Sequence, residues 1–424
     1  MLSKVAYYWR SDMKVSSVVL YRALPTGLAL LTQGLAQPLV VDHHAVVKVA
    51  DIGQALIDRV KSFWVCIPGE SHSLGYRKGC ELLQIVDPRF SVQVTESGVP
   101  ESATTNHLRI STATWGDVSH PTGWRYGYGE EDWYTSAQAV ARTKSHLDYC
   151  HNTGPQLAAM GFGWCWDMTW QNAPGGGVDP VYLVRWAGSS EGGPEGNLRW
   201  GLDAEDTVLT GNSVCMDTYL AATQEYIDHC RANGYVTVVF FTTGPVDSVG
   251  ERGYQRHLKH EHIRHYVQAS ADAVLFDYAD ILCWSDSGEE RIVTWKDHGG
   301  TVRSFQAIHA DNMLDLDGTY TEDGDHIGER GAVRLAKALW WMLAQLADRE
   351  TQEVRLNVRH EGDKLVFSFD TVAGYRYVLE STDEVPAEEW HAAWDSVVGD
   401  CHECVLTLPV PDPERRYYRL VCSR

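Results

Sequence analysis

The sequence predicts a large α/β domain, its mostly parallel sheet covered on both faces, followed by a small all-β sandwich. From about residue 60 to residue 350, strand-like apolar runs alternate with segments of helical periodicity. Beyond residue 351 the texture changes to short alternating segments separated by turns, as in a sandwich of antiparallel sheets. A chain of 424 residues, 44% of them hydrophobic, is long enough for one large core and a second small one.

In chain order, the N-terminus reads as a leader over residues 1–36. Lys14 and Arg22 precede the apolar stretch from Ala23 to Leu31, and Gly34-Leu35-Ala36 supplies small residues for cleavage, with Met13 as an alternative start. The stretch is too short to span a bilayer. A leader implies secretion, to the periplasm or beyond, where ten cysteines permit disulfides. The main domain then covers 37–350. The run Phe63-Trp64-Val65-Cys66-Ile67 is a buried strand that turns sharply into a helix, and Phe90-Ser91-Val92-Gln93-Val94 is a second strand ending near Gly98. Glycine-spaced aromatics, including Trp124, Tyr128 and Tyr134, form a loop suited to substrate contact. Thr135 or Ser136 caps a helix carrying Val140, Leu147 and Cys150, and a third strand leads into Gly161–Asp167.

The Gly-rich insertion 173–206, with Tyr182, Trp186 and Trp200, reads as a rim over a site or as a surface excursion. A helix with Tyr219, Leu220, Thr223, Tyr226, Ile227 and Cys230 on one face stops at Asn233-Gly234. It feeds the strand Val236 to Phe241, which ends in Thr242–Asp247. Ala273 to Phe276 leads into Asp277-Tyr278-Ala279-Asp280. Both endings fall at the sheet edge where α/β proteins bind ligands. The last helix runs from about Gly331 to Leu346. Residues 351–424 form the β module.

A net charge of −21 argues against nucleic acid or an anionic membrane surface as a partner, and no membrane insertion is expected. Sixteen tryptophans and twenty tyrosines suit packing on sugar rings, or filling a large core. His257, His260, His262 and His265 with Glu261 lack the HExxH spacing, because Arg264 stands where the second histidine is needed, so a polar helix face is expected and no metal. The acidic run Asp311, Asp315, Asp317 and Glu322 matches no EF-hand order.

Two distant segments carry the chemistry. Gly69-Glu70-Ser71-His72-Ser73 follows the first buried strand, and Asp323-Gly324-Asp325-His326 precedes the last helix. Ser, His and Asp in this order supply a nucleophile, a general base and the carboxylate that orients the base, the set used for acyl transfer. The pair resembles the SGNH, or GDSL-like, hydrolases, in which a serine after the first strand works with a C-terminal DxxH motif. Glu70 stands where that family has Asp. The resemblance implies a flavodoxin-like three-layer α/β/α domain with Ser71 as nucleophile, Ser73 as fallback, His326 as base and Asp323 as its partner. It also implies an oxyanion hole built from the Ser71 and Gly98 N–H groups. The family's asparagine is missing from Gly161–Asp167, so Trp166, Asn172 or no third donor completes that hole. His72, Trp124, Tyr128, Trp164 and Trp186 are candidate substrate contacts, and the implied chemistry needs no cofactor.

Residues 351–424 are similar to the immunoglobulin-like modules that end many secreted bacterial proteins, on the pattern Gly374–Glu380, Trp390 and Tyr417–Leu420. The function expected from both resemblances is O-deacetylation of a polysaccharide by a secreted serine esterase. Hydrolysis of lipid or polyester by the same fold, and non-catalytic carbohydrate binding or adhesion on a decayed hydrolase fold, are the alternatives.

Overall fold

The structure is a computed structural model. It describes residues 14–19, 38–69, 72–96, 100–112, 134–135, 137–152, 156–164, 215–246, 249–270, 273–296, 300–319, 326–349, 356–371, 376–382, 390–399, 402–409 and 417–423. These fall into two compact units. One takes the described residues of Leu35–Asp228 and Thr237–Ala347, the other those of Met1–Gly34, His229–Val236 and Asp348–Arg424.

The strand β1 (Lys14–Val19) lies inside the stretch expected as a leader and belongs to the second unit. The larger unit begins with β2 (Leu39–Val41), α1 (His43–Lys48), α2 (Gln54–Val60), β3 (Trp64–Cys66) and α3 (Ser73–Val86). It continues through β4 (Val92–Thr95), β5 (Leu108–Ser111), α4 (Ala137–Asn152), β6 (Ala159–Met160) and α5 (Met216–Asn233), the last of which carries its C-terminal turn into the second unit. Then follow β7 (Val238–Val239), β8 (Phe241–Thr242), α6 (Glu251–Gln268), β9 (Val274–Phe276) and α7 (Tyr278–Cys283). The hairpin β10 (Ile292–Lys296) and β11 (Val302–Gln306) and the long α8 (Glu329–Arg349) complete it.

The strands of the main sheet pair in parallel, in the order β4-β5-β3-β6-β7, and β2-β9-β8 forms a second parallel set. The two sets meet along residues 238–242, where the Phe240 N–H donates to the Met160 carbonyl and the Thr243 N–H to that of Phe276. Each strand is short, and β3, β5, β6, β8 and β9 are buried throughout; Trp64, Val65 and Cys66 are nearly or fully inaccessible. From β3 the chain first builds outward through β4 and β5, then returns to the other side of β3 with β6. The crevice at the carboxyl ends of β3 and β6 is therefore a topological switch point, the position at which open α/β sheets bind ligands.

The expected last helix is α8, with Leu335, Leu339, Met342 and Leu346 buried as the periodicity predicts. Its contact with α3 is close enough to need a glycine, since a Cβ on Gly79 would lie 1.9 Å from the Ala332 carbonyl oxygen. The expected α5 buries Tyr219, Leu220, Thr223, Tyr226 and Cys230 and stops at Gly234, whose φ of +68° is the left-handed end that glycine permits. Among the described cysteines, Cys66, Cys80, Cys150, Cys215, Cys230 and Cys283 are buried.

The second unit is antiparallel. One sheet joins β12 (Asn357–Glu361), β13 (Lys364–Asp370) and, later in sequence, a strand at Glu403–Pro409. The other is built on β14 (Arg376–Thr382), which pairs with β15 (His391–Ala392) and β16 (Val397–Val398). Numbering the Glu403–Pro409 strand β17 and Tyr417–Ser423 β18, β14 also pairs with β18, and β18 with β1, with Val18 opposite Arg419. Gly362, at φ +65°, forms the tight turn between β12 and β13. Leu365, Phe367, Phe369 and Leu406 from one sheet meet Tyr377, Leu379, Tyr418 and Leu420 from the other in one core.

Candidate active site

The turn after β3 is fastened to the turn after β6. Gly69 sits at φ +133°, and a Cβ there would lie 2.0 Å from the Gly163 carbonyl oxygen. The Gly163 N–H donates to the Pro68 carbonyl at 2.8 Å, and the His72 N–H to the Trp164 carbonyl at 3.1 Å. Gly163 is equally constrained, because a Cβ would come within 2.3 Å of the Ser73 Cβ. These contacts bracket Glu70 and Ser71, which lie outside the described residues. Buried Arg77, one turn into α3, ties the same region together. Its Nη1 donates to the Ser73 carbonyl and Oγ at 3.1 Å, and its Nε donates to Glu96 at 2.8 Å. Burial pushes the Glu96 carboxyl up, but its bonds from Thr112 and Arg77 win and hold it below the usual range.

His326 reaches this turn from the other end of the unit. Its ring stacks on that of His72, with centroids 5.3 Å apart and planes at 27°, so the segments around residues 71 and 326 adjoin in space. His72 in turn meets Tyr278 edge-on at 6.0 Å. The three rings line a small, partly open cavity whose remaining wall is apolar: Pro245, Val246, Leu282, Ile308 and Ile327. The Tyr278 hydroxyl is buried without a hydrogen-bond partner among the described residues, and burial pushes its pKa up. His326 is positioned by the residues that follow it. The Gly328 N–H donates to the Asn312 carbonyl at 2.9 Å, and a Cβ on Gly328 would lie 2.5 Å from the Leu314 carbonyl oxygen. The Asn312 side chain is itself fixed by donating to the carbonyls of Leu282 and Trp284.

The floor of this edge is a buried polar network. Asp277, at the end of β9, accepts two bonds from Arg264, at 2.6 and 2.8 Å, and a third from the Thr243 hydroxyl at 2.8 Å. Burial works against the Arg264 charge, but Asp277 and then Glu261 outweigh it and hold the guanidinium above its ordinary value. The network fixes the start of α7, and with it Tyr278.

Of the expected site residues, the structure brings His72 and His326 together. Ser71, Gly98, Trp124, Tyr128, Trp166, Asn172, Trp186 and Asp323 lie outside the described residues, as do the insertion 173–206 and Asp325. Trp164, expected to contact substrate, is a core residue: it is 1% exposed, packs on Phe162 and Tyr219, and donates its indole N–H to the Thr242 carbonyl at 3.1 Å. Tyr134, expected in a displayed aromatic loop, is likewise buried, its ring 4.6 Å from that of Phe162 and its hydroxyl 3.1 Å from that of Thr223. An aromatic cluster of this size gains more from mutual burial than from display.

Tyr278, Val246 and Ile308 escaped the sequence reading as site residues. The signal for two of them was present, since Thr242–Asp247 and Asp277–Asp280 were already placed at the ligand-binding edge. The four histidines expected on a polar helix lie on α6. His262 bonds Asp217 at 2.6 Å, whereas His260 is buried, and burial with its cationic neighbours drives its pKa well below the ordinary histidine value. No helix among the described residues is long and apolar enough to cross a membrane.

Together these features define a mixed α/β protein with parallel sheets, a separate antiparallel β unit, and an imidazole-lined cavity at the carboxyl edge of the larger unit. The chain matches no protein-family model and no curated protein sequence.

Proposed function

We propose that the protein is a serine esterase of SGNH type. The supporting observation is the stacking of His326 on His72, the residue after Ser71, at the switch point of a parallel sheet. In this scheme Ser71 Oγ attacks the ester carbonyl while His326 accepts its proton, with Asp323 holding the imidazole in orientation. The Ser71 and Gly98 N–H groups, with Trp166 or Asn172 as third donor, stabilise the tetrahedral oxyanion. His326 returns the proton to the leaving alcohol, then activates the water that releases the acid and regenerates Ser71. The small apolar wall beside the two imidazoles suits a short acyl group, and the tryptophan and tyrosine content and the appended β unit favour an acetylated polysaccharide as substrate.

The test is turnover of p-nitrophenyl acetate and release of acetate from acetylated xylan. Wild type should be active and Ser71→Ala inactive, with the two chains equally stable. Equal inertness of both, with polysaccharide still retained, would favour the non-catalytic binding reading, which the missing asparagine supports. Secretion with a cleaved leader belongs to the same proposal and is tested by the intact mass of the exported chain. A mass beginning at Gln37 supports it; a mass retaining residues 14–19 overturns it and keeps β1 in the mature sheet.

A further inference from the structure

Asp42, His43 and His44, at the carboxyl end of β2, each offer a ligand atom within 4.8 Å of the other two. Asp42 uses Oδ1 to accept the His44 N–H at 3.0 Å, while its Oδ2 stands 3.3 Å from His44 Nδ1. Two ligand atoms on one tetrahedral zinc at ordinary bond lengths are separated by about that distance, roughly 3.3 Å.

His43 is held for the same task from behind. Its Nδ1 lies 2.6 Å from Asp280 Oδ2, which also accepts the His43 N–H at 2.9 Å. With Nδ1 facing that oxygen, Nε2 is the His43 ring nitrogen left for a ligand. The ring is clamped in that orientation by Trp284, stacked at 4.0 Å and 15°. A carboxylate behind a histidine that presents its other nitrogen is the arrangement that orients metal-ligating imidazoles and strengthens them as ligands.

We infer that Asp42, His43 and His44 bind a divalent transition-metal ion, with zinc as the best match, and that Asp280 positions His43 for it. Two imidazoles and one carboxylate select a borderline ion over magnesium or calcium, which take oxygen ligands. Three protein ligands leave a coordination position open, and the His44 side chain, 62% exposed, gives solvent access to it. The inference is independent of the esterase reading.

The test uses the untagged full chain, stripped with EDTA and titrated with zinc against a chromophoric chelator, alongside thermal melting with and without zinc. Wild type should bind one zinc and melt higher in its presence, because a ligand bound only by the folded state stabilises it. His44→Ala is the main variant, since the exposed side chain can be removed without disturbing the core, and it should weaken binding at least about tenfold. Asp280→Asn keeps all three ligands and should weaken binding about 10–100-fold. His262→Ala, on α6, should bind as wild type does. Absence of zinc binding by wild type, equal affinity of wild type and His44→Ala, or loss of binding in His262→Ala would each overturn the assignment.

Discussion

The two units of this chain solve the same problem, burying apolar strands, in opposite ways. In the larger unit the strands from β2 to β9 pair in parallel, are two to four residues long and are mostly buried, so their side chains are largely consumed by the core and any chemistry is left to the loops at their carboxyl ends. In the β unit strands such as β13, β14 and β17 run to seven residues and pair antiparallel, and their inward positions form one core between two sheets. The parallel arrangement gathers loops distant in sequence at one edge, which is why His72 and His326 meet. The antiparallel arrangement joins neighbours by tight turns such as that at Gly362. Under the proposed function the larger unit therefore carries the chemistry, and the two should fail independently when perturbed.

The largest effect should come from the loops of the larger unit. Ser71→Ala or His326→Ala should lower kcat for p-nitrophenyl acetate by about 10⁴-fold or more, with melting unchanged. A residual rate within tenfold of wild type in both variants would detach the chemistry from this edge. Next in size, Phe367→Ala empties the centre of the β unit, where the side chain is fully buried and its ring lies 4.7 Å from that of Tyr418. It should cost about 3–5 kcal/mol in denaturant unfolding of that unit. Ester turnover should be unaffected, and a parallel loss of kcat would break the separation drawn above.

Gly163→Ala sharpens the comparison from inside the site. The added methyl collides with Ser73, so a loss of about 1–3 kcal/mol is expected, together with reduced turnover as the turn around Ser71 shifts. Unchanged melting and kcat would mean that the two turns are not locked. The smallest effect is a pH slope belonging to the larger unit. Because His260 is buried with its folded pKa well below the unfolded value of about 6.5, its contribution is full above that pH and declines below it. Stability should fall by at most about 1.4 kcal/mol per pH unit between 6.5 and the depressed folded value. His260→Gln should flatten that slope in urea titrations; the same slope in wild type and variant would assign it to other groups.

Long, strongly periodic segments were legible in the sequence. The 21-residue α8 and the buried face of α5 follow from spacing alone, as does the change of period after residue 351. The short strands β2 and β5 and the hairpin β10–β11 were not read. β5 carries Arg109, whose guanidinium is buried by donating to the carbonyls of Ser62, Glu101 and Ser102, and so reads as surface in a sequence pattern. β2 falls just after the apolar stretch taken as a leader, which hid Asp42, His43 and His44. Glycine spacing suggests exposure for Tyr134 and the candidate site suggests substrate contact for Trp164, while contacts with Phe162 and Tyr219 draw both rings inside.

The order of residues settled which segments are helical or extended and which side chains have reactive chemistry, because those properties depend on near neighbours and on the identity of each group. Proximity between groups more than two hundred positions apart was decided by tertiary packing. The switch point beside β3, the glycines at 69 and 163, and the Asp277–Arg264 network set where each loop emerges, and none of these distances is encoded in local periodicity. The stacking of His326 on His72 and the capture of His43 by Asp280 are products of that packing alone.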